Sequence, residues 1–264
     1  MNKIASDSNL NNSPALKSWA VYSWKAILLF VVIASFSAVS DLWTKHWAFE
    51  KMNSNNKPLV EKIEKLKQIA NQQNFDGNPN LKSVLEKAKT DPNATRGIIS
   101  LIQQSDKPQL KTRICHGLSI TLSTNPGVVF GISWLPRPIV NMITFAMIIV
   151  IIAYFVFSSS KNWVLHIALA LILGGAIGNL YDRLFSVVAL PDAGFAPIKG
   201  HVRDFLDCSD FGYVWIFNVA DAWLVVGVAI IFIQSIFIEI KQKRAAKASE
   251  TTKNSDSTQT ADQS

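Results

Sequence analysis

Charged residues are almost missing from four long stretches of this sequence, and their absence excludes an ordinary soluble domain. Asp, Glu, Lys and Arg make up 17% of the 264 residues, whereas 49% are apolar. The apolar residues are concentrated in blocks, which is typical of a membrane protein. The blocks are Ala26 to Ser40, Pro138 to Ser160, Asn162 to Tyr181 and Ala222 to Ile238, the last extended backwards by Phe211 to Ala220. Each is near the roughly 20 residues that a helix needs to cross a bilayer.

Four further absences narrow the fold class and the possible chemistry. The blocks have no strict alternation of polar and apolar residues, so we interpret them as helices rather than barrel strands. Cysteine is scarce: Cys115 and Cys208 form no CxxC pattern, and the sequence leaves open whether they pair. No GxSxG segment is present, which argues against Ser-His-Asp catalysis. One ionisable cluster matches no common metal-site spacing; its members are His201, Asp204, Asp207, Cys208 and Asp210.

The net charge of +7 would suggest a nucleic-acid partner in a soluble protein, but here the basic residues flank the apolar blocks. We therefore expect no nucleic-acid binding and interpret these residues as topology signals. Those beside the first and last blocks are Lys3, Lys17, Lys25, Lys241, Lys243, Arg244 and Lys247. Four crossings with basic flanks at both ends predict a multi-pass membrane protein with both termini in the cytoplasm.

The predicted fold class is mainly α and integral to the membrane, with four transmembrane helices and an extracytoplasmic cap of short strands and amphipathic helices. The segments are a cytoplasmic N-terminus 1–23, spans 24–43, 137–157, 163–184 and 216–238, outer segments 44–136 and 185–215, an inner link 158–162, and a basic, then disordered, tail 239–264. Amphipathic helices are predicted over 58–73 and 81–89. A cleaved signal peptide is an alternative for the first block, but the DLWTKHW that follows fits the site described next.

Ionisable side chains collect at one predicted membrane depth, the outer ends of three spans. Asp41 ends the first span, Asp182 and Arg183 end the third, and Asp221 begins the fourth. Each alone could be an interfacial anchor, but charges at such positions normally face a polar cavity or a partner. Polar neighbours favour the second interpretation. Asn179 shares a helix face with Asp182 and Arg183, Asn218 lies three positions before Asp221, and Asp204 lies between the two spans.

Five motifs carry a resemblance to a known family. SDLWTK follows the first span, TNPGVVFGI precedes the second, and GGAIGNLYDRL, VRDF and FNVADAWLVVG follow in that order. Together they resemble the motif set of lipoprotein signal peptidases, also called type II signal peptidases. The resemblance covers about residues 24–50 and 114–238.

The resemblance implies an intramembrane aspartyl endopeptidase that cleaves bacterial prolipoproteins just before a diacylglyceryl-modified cysteine. It implies Asp204 and Asp221 as the catalytic pair and Asp182 as a structural residue that orients neighbours such as Arg183. The positions that resemble substrate-binding or supporting residues are Asp41, Lys45, Asn125, Gly127, Asn179, Arg183 and Asn218. It further implies a location in the bacterial inner membrane, no metal or other cofactor, contact with membrane lipids, and inhibition by compounds of the globomycin type.

The sequence departs from the family pattern in three places. Long stretches separate Lys45 from Asn125 and Arg183 from Arg203, and both could form an enlarged cap over the substrate or bind another envelope component. Arg203 stands where an apolar residue is usual. Two alternatives stay open: a presenilin-like protease, against which the absence of GxGD argues, and a small transporter or proton pathway. A pathway should place polar groups through the whole bilayer depth, whereas these collect at one face.

Overall fold

Four helices dominate the part of the chain that the structure describes. The structure is a computed structural model that describes residues 19–57, 61, 111–127, 136–190 and 197–261. The helices are α1 (Trp24–Asn55), α2 (Arg137–Phe157), α3 (Trp163–Phe185) and α4 (Val219–Ala261). All four are long and apolar enough to cross a membrane. The helices and the small antiparallel sheets described next confirm the predicted fold class.

Six short strands lie between the helices in the described chain. They are β1 (Lys111–Cys115), β2 (Leu118–Asn125), β3 (Val187–Ala189), β4 (Pro197–Lys199), β5 (Val202–Asp207) and β6 (Ile216–Phe217). Strands β1, β2, β5 and β6 form one antiparallel sheet in that order, and β3 pairs with β4. Because β5 lies between β2 and β6, Asp204 belongs to a central strand of the sheet, within the predicted segment 185–215.

Two helices continue beyond the segments that the sequence predicts. The sequence predicts that the first span ends at residue 43, but α1 continues to Asn55 because no Gly or Pro interrupts it. The tail 239–264 is predicted to become disordered, whereas α4 continues to Ala261 in the structure. Residues 239–261 also contain no Gly or Pro, so nothing in the sequence ends the helix there. Apart from Glu61, the segments predicted as amphipathic helices lie outside the described residues.

The chain forms two compact units. In one, comprising Met1–Ser37, Ile148–Gly174 and Trp223–Ser264, the described core contains Phe30, Phe155 and Leu169. In the other, comprising Ala38–Met147 and Gly175–Ala222, the described core contains Met52, Ile120 and Phe205. All the residues of the candidate site belong to the second unit.

The question of a disulfide is answered by the sheet order. Cys115 ends β1 and Cys208 follows β5, and β2 lies between these two strands. Neighbouring strands lie about 4.8 Å apart, so the two cysteines are separated by roughly 9.6 Å, beyond the Cα separation that a disulfide bridges. Both cysteines are accordingly free thiols.

Candidate active site

Asp204 is the buried acid of strand β5. Its side chain is 4% exposed, and its Oδ1 accepts a hydrogen bond of 2.6 Å from Asn218 Nδ2. Asn125, on the neighbouring strand, also donates to it. Burial, followed by the negative charge of Asp221, raises the pKa of Asp204 to about 7 despite these hydrogen bonds. Asp204 therefore takes up and releases a proton near neutral pH.

Asp221 lies in the first turn of α4 and is held by Asn218, the residue that precedes the helix. Asn218 Oδ1 accepts from the backbone N–H of Asp221 at 3.1 Å, while Asp221 Oδ2 accepts from the backbone N–H of Asn218 at 3.3 Å. This reciprocal pair has the geometry of a capping box. The positive end of the helix dipole favours a carboxylate at this position. Asn218 thus connects the two acids, since its backbone and side-chain oxygen bind Asp221 and its amide nitrogen binds Asp204.

Asn179 of α3 supports the same pair from the other side. Its Nδ2 donates to Asp221 Oδ1 at 2.9 Å. Its Oδ1 accepts from Asn218 Nδ2 at 3.2 Å and from Lys45 Nζ at 3.0 Å. Donor and acceptor atoms are therefore matched across the cluster, which fixes the direction of each amide.

Lys45 forms the centre of a buried ion network beside the acids. Its Nζ lies 2.6 Å from Asp41 Oδ2 and 3.2 Å from Asp182 Oδ2, and all three side chains are fully buried. Asp41 Oδ1 also accepts from the backbone N–H of Ala220 at 2.8 Å. Because Ala220 immediately precedes Asp221, this bond attaches the start of α4 to α1.

Asp182 hydrogen-bonds to Arg203, while Arg183, the neighbour that the resemblance names, lies close enough to Asp182 for electrostatic attraction. Asp182 Oδ1 accepts from Arg203 Nε at 3.0 Å and from Nη2 at 2.7 Å, and Oδ2 accepts from the backbone N–H of Arg203 at 3.0 Å. The reason is direction: successive side chains of a helix point about 100° apart, so Asp182 and Arg183 face different neighbours. Arg183 Nη1 lies 3.5 Å from Thr144 Oγ1, and its Nε is buried without a hydrogen-bond partner in the described chain.

Arg183 and the TNPG segment complete the surroundings of the pair. The guanidinium of Arg183 lies close enough to Asp221 and Asp204 for electrostatic attraction. Asn125 Oδ1 accepts from the backbone N–H of Gly127 at 2.9 Å, and this bond orients the amide toward Asp204. Gly127 adopts a φ of +109°, a conformation that favours glycine. All the site residues predicted from the sequence thus lie in one unit. The sequence does not predict the contacts of Arg203, Thr144 and the Ala220 backbone.

Gly178 permits the close approach of α3 to Asp41. A Cβ at this position would collide with Asp41 Oδ2. We therefore expect Gly178→Ala to displace Asp41 from Lys45 and from the Ala220 N–H, and to lower the thermal unfolding temperature of the detergent-purified protein by several degrees. An unfolding temperature equal to that of the unsubstituted protein would show that the helix contact is loose.

The cluster holds Asp204 on β5 and Asp221 on α4, and Asn218 binds both carboxyl groups. Lys45 and Arg183 supply positive charge beside them. Two neighbouring carboxyl groups of this kind can share a single proton near neutral pH. One can accept a proton from water while the other donates a hydrogen bond to a carbonyl oxygen. Arg183, with a buried N–H that has no partner in the described chain, is placed to stabilise negative charge that develops on that oxygen.

Two solved structures of bacterial membrane enzymes align with this chain. One is 27% identical and covers 58% of this chain and 84% of its own length with a TM-score of 0.41. The other is 21% identical and covers 82% and 96%, respectively, with a TM-score of 0.44.

Sequence relatives are more informative. A lipoprotein signal peptidase of Halalkalibacterium halodurans is 39% identical over 132 residues, which are 50% of this chain and 76% of that protein. A lipoprotein signal peptidase of Staphylococcus aureus is 33% identical over 121 residues, which are 46% of this chain and 66% of that protein. The family described as signal peptidase (SPase) II matches residues 94–237, more than half of the chain. The chain therefore belongs to the signal peptidase II family.

Proposed function

We propose that this chain removes signal peptides from prolipoproteins by an aspartyl mechanism, with Asp204 and Asp221 as its catalytic pair. We further propose that the cut falls just before the diacylglyceryl-modified cysteine. One observation supports the pair above all others: one buried residue, Asn218, donates to both carboxyl groups, from its Nδ2 to Asp204 Oδ1 and from its backbone N–H to Asp221 Oδ2. The alternative of a small transporter is not supported, since the family match and the curated relatives are signal peptidases.

In the proposed reaction the pair begins with one proton. The ionised carboxylate takes a proton from water, and the water oxygen attacks the scissile carbonyl carbon while the protonated acid donates a hydrogen bond to the carbonyl oxygen. Arg183 stabilises the resulting negative charge. The pair then returns a proton to the leaving nitrogen as the C–N bond breaks. Because the two acids are proposed to share one proton, we do not assign acid and base individually.

Lipid contact and topology belong to the same proposal. Helix α2 exposes large apolar side chains along its length, which suits contact with acyl chains. Examples are Met142, Phe145, Val150 and Phe157.

We place both termini in the cytoplasm of a bacterial cell with the catalytic pair at the outer face, because basic residues flank the first and last spans. To test this topology, a single cysteine is introduced at Ser249 or at Ser209 in a Cys-free background. A membrane-impermeant thiol reagent should label these two positions from opposite sides of the membrane.

The proposed activity is tested by incubating purified protein with a diacylated prolipoprotein and measuring the product by mass spectrometry. The expected product begins with the lipid-modified cysteine, and a cyclic peptide of the globomycin type should prevent its formation. The same prolipoprotein without the diacylglyceryl group is the matched control and should remain uncleaved. Cleavage of the unmodified substrate at an equal rate would contradict the proposed specificity.

Activity should depend on pH through the shared proton. The pKa of Asp204 is raised to about 7, so the pair holds its proton below that pH and loses it above. We therefore expect kcat/KM to fall as the pH rises above about 7, because no acid remains to polarise the carbonyl. The check is a pH profile of kcat/KM in a buffer of constant ionic strength. A rate that continues to increase through about pH 9 would exclude this role for the raised pKa.

A further inference from the structure

The side chain of Arg203 forms hydrogen bonds in addition to the one that its backbone N–H makes. Any residue other than proline at this position could donate its backbone N–H to Asp182, as Arg203 does at 3.0 Å. The Arg203 side chain adds two more donors, Nε at 3.0 Å and Nη2 at 2.7 Å, both to Asp182 Oδ1. Hydrogen bonds between ionised partners are roughly twice as strong as neutral ones. Since Asp182 is fully buried and the Arg203 side chain is 15% exposed, water weakens this pair little.

The same contact balances the charges of the buried network. Without Arg203, Lys45 would be the single cation paired with the fully buried carboxylates of Asp41 and Asp182 among the described residues. With Arg203, each of the two carboxylates has a cation of its own. The three N–H donors of Lys45 Nζ serve Asp41, Asp182 and Asn179 Oδ1, the last at 3.0 Å. Because Asn179 in turn donates to Asp221, the charge balance at Asp182 extends to the second catalytic acid.

Arg203 also immediately precedes Asp204 on β5, so fixing one residue fixes the backbone of the other. We propose that Arg203 is a positioning residue, whose side chain binds Asp182 and thereby holds Asp204 against Asn218 and supplies the buried network of Lys45, Asp41 and Asp182 with a second cation. This inference rests on the proposed catalytic pair. Arg203 itself touches no reacting group, since its described side-chain hydrogen bonds go to Asp182.

The test compares Arg203→Met and Arg203→Lys with the unsubstituted enzyme in the cleavage of a diacylated prolipoprotein. Misplacing a catalytic group by about 1 Å can cost roughly a hundredfold in rate, so we expect Arg203→Met to lower kcat by about ten- to a hundredfold. KM should stay within about twofold, because the loss concerns the transition state rather than substrate binding. Arg203→Lys keeps the charge but loses the fork of donors, and we expect kcat to recover only in part, to about two- to tenfold below the unsubstituted value.

Arg113→Met is the matched control. Arg113 lies on β1 of the same sheet and binds Asp210 with its Nη2 at 2.7 Å, but its side chain is 65% exposed. Removing this exposed ion pair should leave kcat and KM within about twofold of their original values. A loss of kcat in Arg113→Met equal to that in Arg203→Met would mean that any damage to the sheet slows the enzyme, and would overturn the specific role.

Other results with the Arg203 variants also decide whether Arg203 is a positioning residue. A kcat of Arg203→Met within about twofold of the original, or a raised KM with kcat unchanged, would overturn the proposal. So would an Arg203→Lys enzyme no faster than Arg203→Met. If Arg203→Met fails to insert or fold, Arg203→Lys decides alone, with an unchanged kcat contradicting the role and a reduced kcat at constant KM supporting it. Asp204→Asn is assayed in parallel: an active Asp204→Asn enzyme refutes the proposed function, whereas an inactive one beside a fully active Arg203→Met refutes only the positioning role.

Discussion

Asp204→Asn and Asp221→Asn should each abolish cleavage of a diacylated prolipoprotein, with a loss of at least about a thousandfold in kcat. The amide is nearly isosteric with the carboxyl group, so the cluster around Asn218 should keep its shape. It can neither take a proton from water nor exchange one with its partner, and the remaining acid alone cannot serve both steps. The measurement is product formation over time by purified protein in detergent or in lipid.

The control for this result is the stability of the same variants. Because the pKa of Asp204 is raised to about 7 in the folded protein from 3.8, the stability contributed by its protonated form is present below pH 3.8 and is lost as the pH rises toward 7. A neutral amide at the same position would carry no such penalty. Asp204→Asn should therefore unfold at a higher temperature than the unsubstituted protein at about pH 8, while being inactive. Loss of both activity and stability in this variant would point to a structural acid instead.

Replacing Lys45 by Met should have the largest effect on folding. Lys45 is fully buried between Asp41 and Asp182, and its removal leaves Asp41 without its cation while Asp182 retains Arg203. Removing one partner of a buried ion pair costs about 3 to 5 kcal/mol, because the remaining charge stays buried. We expect the Lys45→Met protein to insert poorly or to unfold at a much lower temperature. Thermal unfolding in detergent, followed by circular dichroism, measures the difference.

Lys243→Met is the matched control for that experiment. Lys243 pairs with Glu239 at 2.7 Å with the same i, i+4 spacing as Lys45 and Asp41, but both side chains are well exposed. An exposed pair contributes little to stability, so this variant should unfold close to the original temperature. The double variant Lys45→Met with Asp41→Asn should regain part of the lost stability, since it removes the unpaired charge. Equal unfolding temperatures for Lys45→Met and Lys243→Met would contradict the buried network.

Much of this arrangement is visible in the sequence because it depends on local spacing. The apolar blocks predict the helices, and Asp41 and Lys45 lie four residues apart on one face of α1. Asn218 and Asp221 have the spacing of a capping box, which the sequence indicates as a pair of polar neighbours and the structure shows to be a helix cap. Such features need no knowledge of the tertiary structure.

The remaining features depend on contacts between distant segments. The partner of Asp182 lies 21 residues away on β5, and it is reached only because β5 pairs with β2 and lies beside α3. Asp182 and Arg183 point in different directions from α3. Their adjacency in the sequence therefore does not show which neighbours each side chain contacts. The bond from the Ala220 N–H to Asp41 joins residues 179 positions apart. Every residue except proline has a backbone N–H, so the residue types do not indicate which of them forms such a bond.

The proton that Asp204 and Asp221 are proposed to share can be observed directly. Infrared difference spectroscopy of the purified protein, titrated across neutral pH, detects a protonated carboxyl group through its C=O stretch. We predict one such signal that disappears around pH 7 and is absent from Asp204→Asn. A spectrum in which no carboxyl group titrates near that pH, or in which Asp204→Asn retains the signal unchanged, would contradict the shared proton and with it the proposed catalytic pair.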